Sequence, residues 1–328
     1  MISNLRSALV TTTAMFAMLT VAPASQAGEK LKVVASFSIL GDMTARVGGD
    51  NIDLTTLVGP GGDAHVFEPR PTDAETVSKA QLMIVNGLGF EGWLDRLVEA
   101  SGSKAKIVVA TGGVETTKPG KGHGHEDEAK HDDHTEDETK DEHAEDGHGH
   151  GDLDPHAWQS AKNAIHYVSN IARALCDADK ANCETYKANG AAYTLELEAL
   201  DSEIRQMIDA LPKDRRTVIT GHDAFGYFAR AYGVTFLAPE GVSTESEASA
   251  ADVAKLITQI QESKASALFV ESISDPRLIE QIAKDTGVKI GGTLYSDALS
   301  EADGPATTYA GMMRYNAKTL TEALAARS

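Results

Sequence analysis

The chain has 328 residues, 41% of them hydrophobic, which is enough for two domains with a substantial core. Its formal net charge of −19 argues against nucleic acid as a partner. Much of that charge is local, because residues 121–152 hold 13 acidic residues against 3 lysines, and the rest of the chain is only moderately acidic.

At the N-terminus one arginine precedes an apolar stretch from about Ala8 to Val21, and the small-residue site Ser25-Gln26-Ala27 follows. This pattern predicts a secretory signal peptide over 1–27, cleaved after Ala27. The apolar run is too short and too rich in threonine for a membrane span. No cysteine follows the cleavage site. The expectation is therefore an exported, periplasmic protein with no lipid anchor.

Lys30–Phe37 is short, apolar and β-branched, as a buried strand is. A helix ending at glycine follows in SILGDMTARVGG, then a strand ending near Val58, the loop GPGGDAHVFEP and a helix from near Thr72. AQLMIVNG reads as a strand, FEGWLDRLVEASG as a helix and AKIVVAT as a strand. Strands alternating with helices of about ten residues predict a parallel sheet with crossover helices.

From 116 to 151 that pattern is interrupted by a tract of His, Asp, Glu, Lys and Gly with almost no apolar residues, which cannot fold by burying surface. Order resumes at DPHAW, where Asp154 suits a helix N-cap and Pro155 the first helical position. Cys176 and Cys183 are the only cysteines. In an oxidising compartment they are expected to form a disulfide stapling two helices, a metal pair being the weaker alternative.

A long helical pattern then runs to Pro212, with Tyr193, Leu197, Leu200, Ile204, Met207 and Leu211 at three- and four-residue steps. At roughly 1.5 Å per residue it spans about 40 Å, enough to join two domains. The alternation restarts in RRTVIT, DAFGYFARAYG, VTFLAP, a helix from near Glu247, ASALFVES, DPRLIEQIAKDTG and VKIGGTLY. A last helix is expected from about Pro305 to Ala326. The fold class is thus α/β: an N-terminal lobe over 28–181, a rigid linker helix over 182–211 and a C-terminal lobe over 212–328, with a cleft between the lobes.

Ligands of open α/β sheets bind at the carboxyl ends of strands. His65, His222 and Asp297 each follow a predicted strand, and His156 follows the histidine-rich tract. Two come from each lobe. If they meet in the cleft, three imidazoles and a carboxylate form a closed tetrahedral site of the kind zinc favours. Each also has an ordinary reading: a solvent-exposed loop for His65, a surface first-turn histidine for His156, capping of the following helix or packing on Phe225 for His222 and a helix N-cap for Asp297. Glu271, ending a strand, is expected to hydrogen-bond nearby loops, and Glu68, Asp154 and Asp223 flank the histidines as orienting candidates. GPGGD lacks the GK[ST] ending of a phosphate loop. There is no HExxH motif and no serine nucleophile elbow, so no enzyme is expected.

In combination, GGDAHVFEPRPTD, DPHAW, GHDAFGYFARAYG and LYSDALS resemble the zinc/manganese class of ABC-importer solute-binding proteins, and within it the ZnuA-like zinc receptors. The resemblance covers the mature chain. It implies two α/β lobes on one long helix, with the metal held by His65, His156, His222 and Asp297. Manganese receptors of this class carry glutamate where this chain has His222, so the resemblance implies Zn²⁺ as the transported ligand. Some zinc receptors fill the fourth position with water or a loop glutamate instead of an aspartate.

The implied partners are an inner-membrane permease and its cytoplasmic ATPase, and the chain is expected to be a monomer. An acidic histidine-rich loop ahead of the second ligand histidine is also common in these receptors. Here His123, His125, His131, His134, His143, His148 and His150 are expected to be weaker accessory sites. A receptor for another divalent metal such as manganese, a metal-dependent adhesin or storage protein, and a secreted zinc hydrolase are the competing readings. Because protons compete for imidazole, affinity is expected to fall as pH drops through about 6.5.

Overall fold

The computed structural model describes residues 29–119, 153–246, 248–263 and 265–325. The leader and the tract histidines His123, His125, His131, His134, His143, His148 and His150 lie outside them.

The first lobe runs β1 (Leu31–Phe37), α1 (Ser38–Gly48), β2 (Ile52–Val58), α2 (Pro71–Lys79), β3 (Leu82–Val85), α3 (Leu94–Ser101) and β4 (Lys106–Val109). All pairings are parallel, in the order β2-β1-β3-β4. The order follows from composition. LKVVASF and LMIV are covered almost throughout and take the central positions, whereas IDLTTLV and KIVV expose residues and lie at the edges.

Next come α4 (Ala161–Ala178) and α5 (Cys183–Asp209). The second lobe has β5 (Thr217–Ile219), α6 (Gly226–Tyr232), β6 (Thr235–Leu237), α7 (Ala250–Ser263), β7 (Ala267–Glu271), α8 (Arg277–Thr286), β8 (Ile290–Leu294) and α9 (Tyr309–Ala325). Its sheet, β6-β5-β7-β8, is again all parallel and repeats the order of the first. In both sheets the order reverses beside the first strand of the lobe, which opens a crevice at the carboxyl ends.

The expected linking helix is α5, whose 27 residues span about 40 Å. Its buried positions Tyr186, Gly190, Tyr193, Leu197, Leu200, Ile204 and Ile208 recur every three or four residues, and it packs on α1, α4, α6 and α9. Cys176 near the end of α4 is disulfide-bonded to Cys183 at the start of α5. One apolar core runs through both lobes and the helices between them, joining Phe37 and Trp158 to Phe228 and Met312. A smaller core of Ile219, Leu256, Ile260, Leu268, Ile279 and Ile282 lies under α7 and α8.

Two local expectations change. Residues after Asp154 do not enter a helix at once: a 3₁₀ turn covers Ala157–Gln159, Ser160 is extended, and α4 starts at Ala161. Asp154 is no helix cap because its carboxylate is taken by His156. The last helix begins at Tyr309, whose N–H donates to Asp42 Oδ2 of α1 at 2.9 Å.

Candidate metal centre

His65 sits in the loop between β2 and α2. Its N–H donates to Asp63 Oδ1 at 2.8 Å, a local turn that sets the backbone before the ring. Trp93 Nε1 donates to the carbonyl of Ala64 at 2.8 Å, and the Phe90 ring meets the imidazole edge-on at 4.6 Å. Phe90 reaches this place from a tight turn in which Gly87, Leu88 and Gly89 all have positive φ. Leu88, at φ 56°, is the one non-glycine among the described residues in that region.

His156 lies between the tract and the 3₁₀ turn. Asp154 Oδ1 accepts from its N–H at 2.9 Å and lies 2.8 Å from Nδ1. After Ala157, two side chains reach across the cleft: Trp158 Nε1 and Gln159 Nε2 donate to the carbonyl of Ser296 at 2.9 and 2.7 Å. They thereby fix the residue before Asp297. His222 follows β5, with the N–H groups of Gly221 and His222 donating to Glu271 Oε1 at 2.8 and 2.9 Å. Glu271 Oε2 lies 2.8 Å from His222 Nδ1.

All four predicted residues come together. The three ring centroids are 5.4 to 5.9 Å apart. Asp297 Oδ2 lies 3.2 Å from His65 Nε2 and 3.1 Å from His222 Nε2, and Oδ1 lies 3.5 Å from His156 Nε2. One ligand atom from each residue falls within 4.8 Å of all the others. A tetrahedral zinc site with arms of about 2.0–2.1 Å has edges of roughly 3.3 Å, so the contacts to Asp297 are already of the right length.

Burial sharpens the point. His156, His222 and Asp297 are 0% exposed and His65 is 6% exposed. His65 Nε2, His156 Nε2 and Asp297 Oδ1 are buried without a hydrogen-bond partner. Buried polar atoms left unpaired are rare and call for an explanation. Three of them converging on one point fit a divalent metal ion, which would satisfy all of them at once.

Electrostatics agree. Burial alone would push the His156 imidazole down, but Asp297 and Asp154 outweigh it and hold it up at about 9. His222 is likewise driven down by burial and raised well above the usual histidine range by Glu271 and Asp297. Burial raises Asp297, yet His156 and His222 hold it well below the usual carboxylate range. Competition between proton and metal at His156 therefore begins well above the expected 6.5.

Other candidates lie elsewhere. Glu68 is exposed beside the site loop. Asp223 uses its N–H on the carbonyl of Gly241. Sequence reasoning passed over Phe90 and Gln159. The run Gly87-Leu88-Gly89 before Phe90 was the available signal for the first, whereas nothing local marks Gln159.

Comparison with known proteins places this geometry. The model of the family described as "Zinc-uptake complex component A periplasmic" matches residues 33–323. The iron ABC transporter substrate-binding lipoprotein MtsA of Streptococcus pyogenes is 34% identical over 303 residues, 90% of each chain. The manganese ABC transporter substrate-binding lipoprotein PsaA of Streptococcus mitis is 32% identical over 304 residues, 91% of this chain and 90% of its own. Among solved structures, the periplasmic zinc binding protein TroA of Treponema pallidum is 28% identical and covers 90% of this chain and 99% of its own, with a TM-score of 0.77.

The expectation of a periplasmic protein without a lipid anchor needs correction. MtsA, PsaA and the metal ABC transporter substrate-binding lipoprotein SsaB of Streptococcus sanguinis are all named lipoproteins. The exclusion rested on one missing cysteine after Ala27, in a leader outside the described residues, and it does not stand against these relatives. Two repeated parallel sheets on one linking helix and a buried His/Asp centre for a divalent metal between them agree with the family match, and the chain belongs to the substrate-binding proteins of metal ABC transporters.

Proposed function

We propose that this protein is a zinc receptor that captures one Zn²⁺ at His65, His156, His222 and Asp297 and hands it to a membrane permease driven by a cytoplasmic ATPase. The observation that carries the reading is the convergence of three buried imidazole Nε2 atoms on one buried carboxylate. Imidazole suits a borderline ion such as zinc, whereas harder manganese prefers oxygen. Relatives are named for iron, manganese and zinc, so the choice of zinc rests on the donor set. In this reading, 28–181 and 212–328 act as lobes on a stiff spacer, 182–211. Four protein ligands leave no open position for a reacting water, which favours carriage over hydrolysis.

Zinc titration of metal-stripped protein, with manganese as competitor, tests the reading. It predicts one tightly held zinc per chain that excess manganese does not displace. Replacing His65 and His222 together with alanine removes that ion. Unchanged zinc affinity in the double variant would refute the site. Deleting residues 118–150 leaves the tight ion and removes only weaker ones; loss of the tight ion on deletion would contradict the accessory role of the tract.

A further inference from the structure

The loop that carries Asp297 is anchored on both sides of that residue. Tyr295 donates its N–H to Asn316 Oδ1 at 2.9 Å, and its carbonyl accepts from Asn316 Nδ2 at 2.7 Å. Leu299 donates its N–H to Ser38 Oγ at 3.0 Å, and its carbonyl accepts from the N–H of Gly61 at 2.9 Å. Between these anchors lies the peptide that joins Ser296 to Asp297. Its carbonyl takes two donors at once, Trp158 Nε1 at 2.9 Å and Gln159 Nε2 at 2.7 Å. Because the peptide is planar, fixing that carbonyl also fixes the nitrogen of Asp297 and so the direction of its side chain.

Both donors belong to the segment that carries His156, and Trp158, Gln159, Ser296 and Asp297 are all fully buried. The Trp158 ring is packed against Phe37, Phe90 and His156, with ring centroids 5.0, 4.8 and 5.2 Å away, so packing alone places its N–H. Gln159 is a different case. Its Oε1 is buried with no hydrogen-bond partner. A buried acceptor left unpaired costs stability, and a leucine of similar size would fill the same space without that cost. Packing therefore does not account for a glutamine at this position, whereas its donated N–H does.

We propose that Gln159, together with Trp158, is a positioning residue for Asp297 and through it a determinant of metal choice. His156 and Asp297 come from different lobes, and one short bracket sets the span between them, from His156 through Gln159 to the carbonyl of Ser296. Held by that bracket, the carboxylate meets a four-coordinate ion such as zinc at one fixed angle. Freed from it, the carboxylate can turn, bind through both oxygens and admit water. That arrangement suits manganese, which prefers an octahedral oxygen shell. The proposal rests on the zinc-receptor reading and deepens it: the donor set favours zinc, and the bracket keeps the fourth donor where zinc needs it.

The test uses the full chain, with chelator competition for zinc affinity, a parallel manganese titration and Co²⁺ as a spectroscopic substitute for zinc. Q159L keeps the size of the side chain and removes its donor; W158F keeps an aromatic ring and removes the other donor. Each is expected to weaken zinc by about 10-fold, the low end of what losing an orienting partner costs a metal site, and to narrow the preference for zinc over manganese. Four-coordinate Co²⁺ absorbs visible light far more strongly than five- or six-coordinate Co²⁺, so its bands should weaken in Q159L as they do in D297A. If Gln159 acts through Asp297, Q159L costs nothing further in a D297A background, whereas a general loss of structure would add its full effect there. Full additivity in Q159L/D297A, or wild-type zinc affinity and cobalt bands in both Q159L and W158F, would overturn the proposal. Should Q159L fail to fold, W158F and W158F/D297A make the same comparison. Wild-type protein that holds no tight zinc would instead sink the receptor reading and the proposal with it, and the first titration shows this before any variant is made.

Discussion

Asp297 faces three imidazoles from a fully buried position, and its charge sets the proton balance of the centre. With His156 held up at about 9, that ring carries a proton at neutral pH in metal-free protein. Zinc must displace it, so binding at pH 7 should release at least about one proton. Calorimetry in buffers of different ionisation enthalpy measures this, and a buffer-independent heat would contradict it. The sign for stability follows from the same shift. The folded value of His156 lies above its unfolded value of about 6.5, so its stabilising contribution is complete below that pH and is lost as pH rises through about 9. Metal-free protein should therefore melt at a lower temperature at pH 9.5 than at pH 6.5. The identity of the four centre residues was legible because each is a ligand type placed beside a strand end or an order boundary. The second job of Asp154 was not, because an aspartate before a proline and a short helical run reads as a cap. The hold of Glu271 on His222 was hidden too, since 49 residues separate them and only the β5–β7 pairing brings them together.

At the scale of elements, two close approaches matter. Gly226 opens α6 where an added Cβ would lie 2.5 Å from Asp154 Oδ2. Replacing Gly226 with alanine should push that carboxylate off His156 and weaken zinc binding while leaving the circular-dichroism spectrum intact; wild-type affinity in G226A would contradict the packing argument. The second is the junction of α4 and α5, where the Cys176–Cys183 disulfide closes a short loop. Restricting the unfolded chain over so short a loop is worth about 2–3 kcal/mol. Replacing both cysteines with serine should lower unfolding free energy by that order and leave zinc affinity unchanged, because the junction is remote in sequence from all four centre residues. Helices and strands were readable from apolar periodicity wherever they ran for several turns or residues. The break at Ser160 was not, because Trp158 and Gln159 fit a helical pattern and turn instead to reach Ser296 across the cleft.

At the scale of the whole molecule, the two sheets share one continuous core and one linking helix. Hydrogen bonds bind the lobes directly as well: Ser38 Oγ accepts from Leu299 N–H, and Tyr309 OH donates to the carbonyl of Trp158. A molecule joined this way cannot swing like one whose lobes hang on flexible strands. Small-angle scattering with and without zinc should show little change in radius of gyration, and a large contraction would contradict the shared core. The repetition of the sheet order was legible as two rounds of strand–helix alternation. The shared core was not, since sequence shows which faces are apolar but not which lobe covers them. The central claim, that one divalent ion is held by three imidazoles and one carboxylate, is tested most directly by X-ray absorption on protein loaded with one equivalent of zinc. Wild-type protein should show a four-coordinate shell of nitrogen and oxygen at about 2.0–2.2 Å with outer-shell scattering from three imidazoles, a signature that the H65A/H222A protein, which does not keep the tight ion, should lack. A shell with fewer than three imidazoles in the wild type, or one unchanged in the double variant, would contradict it.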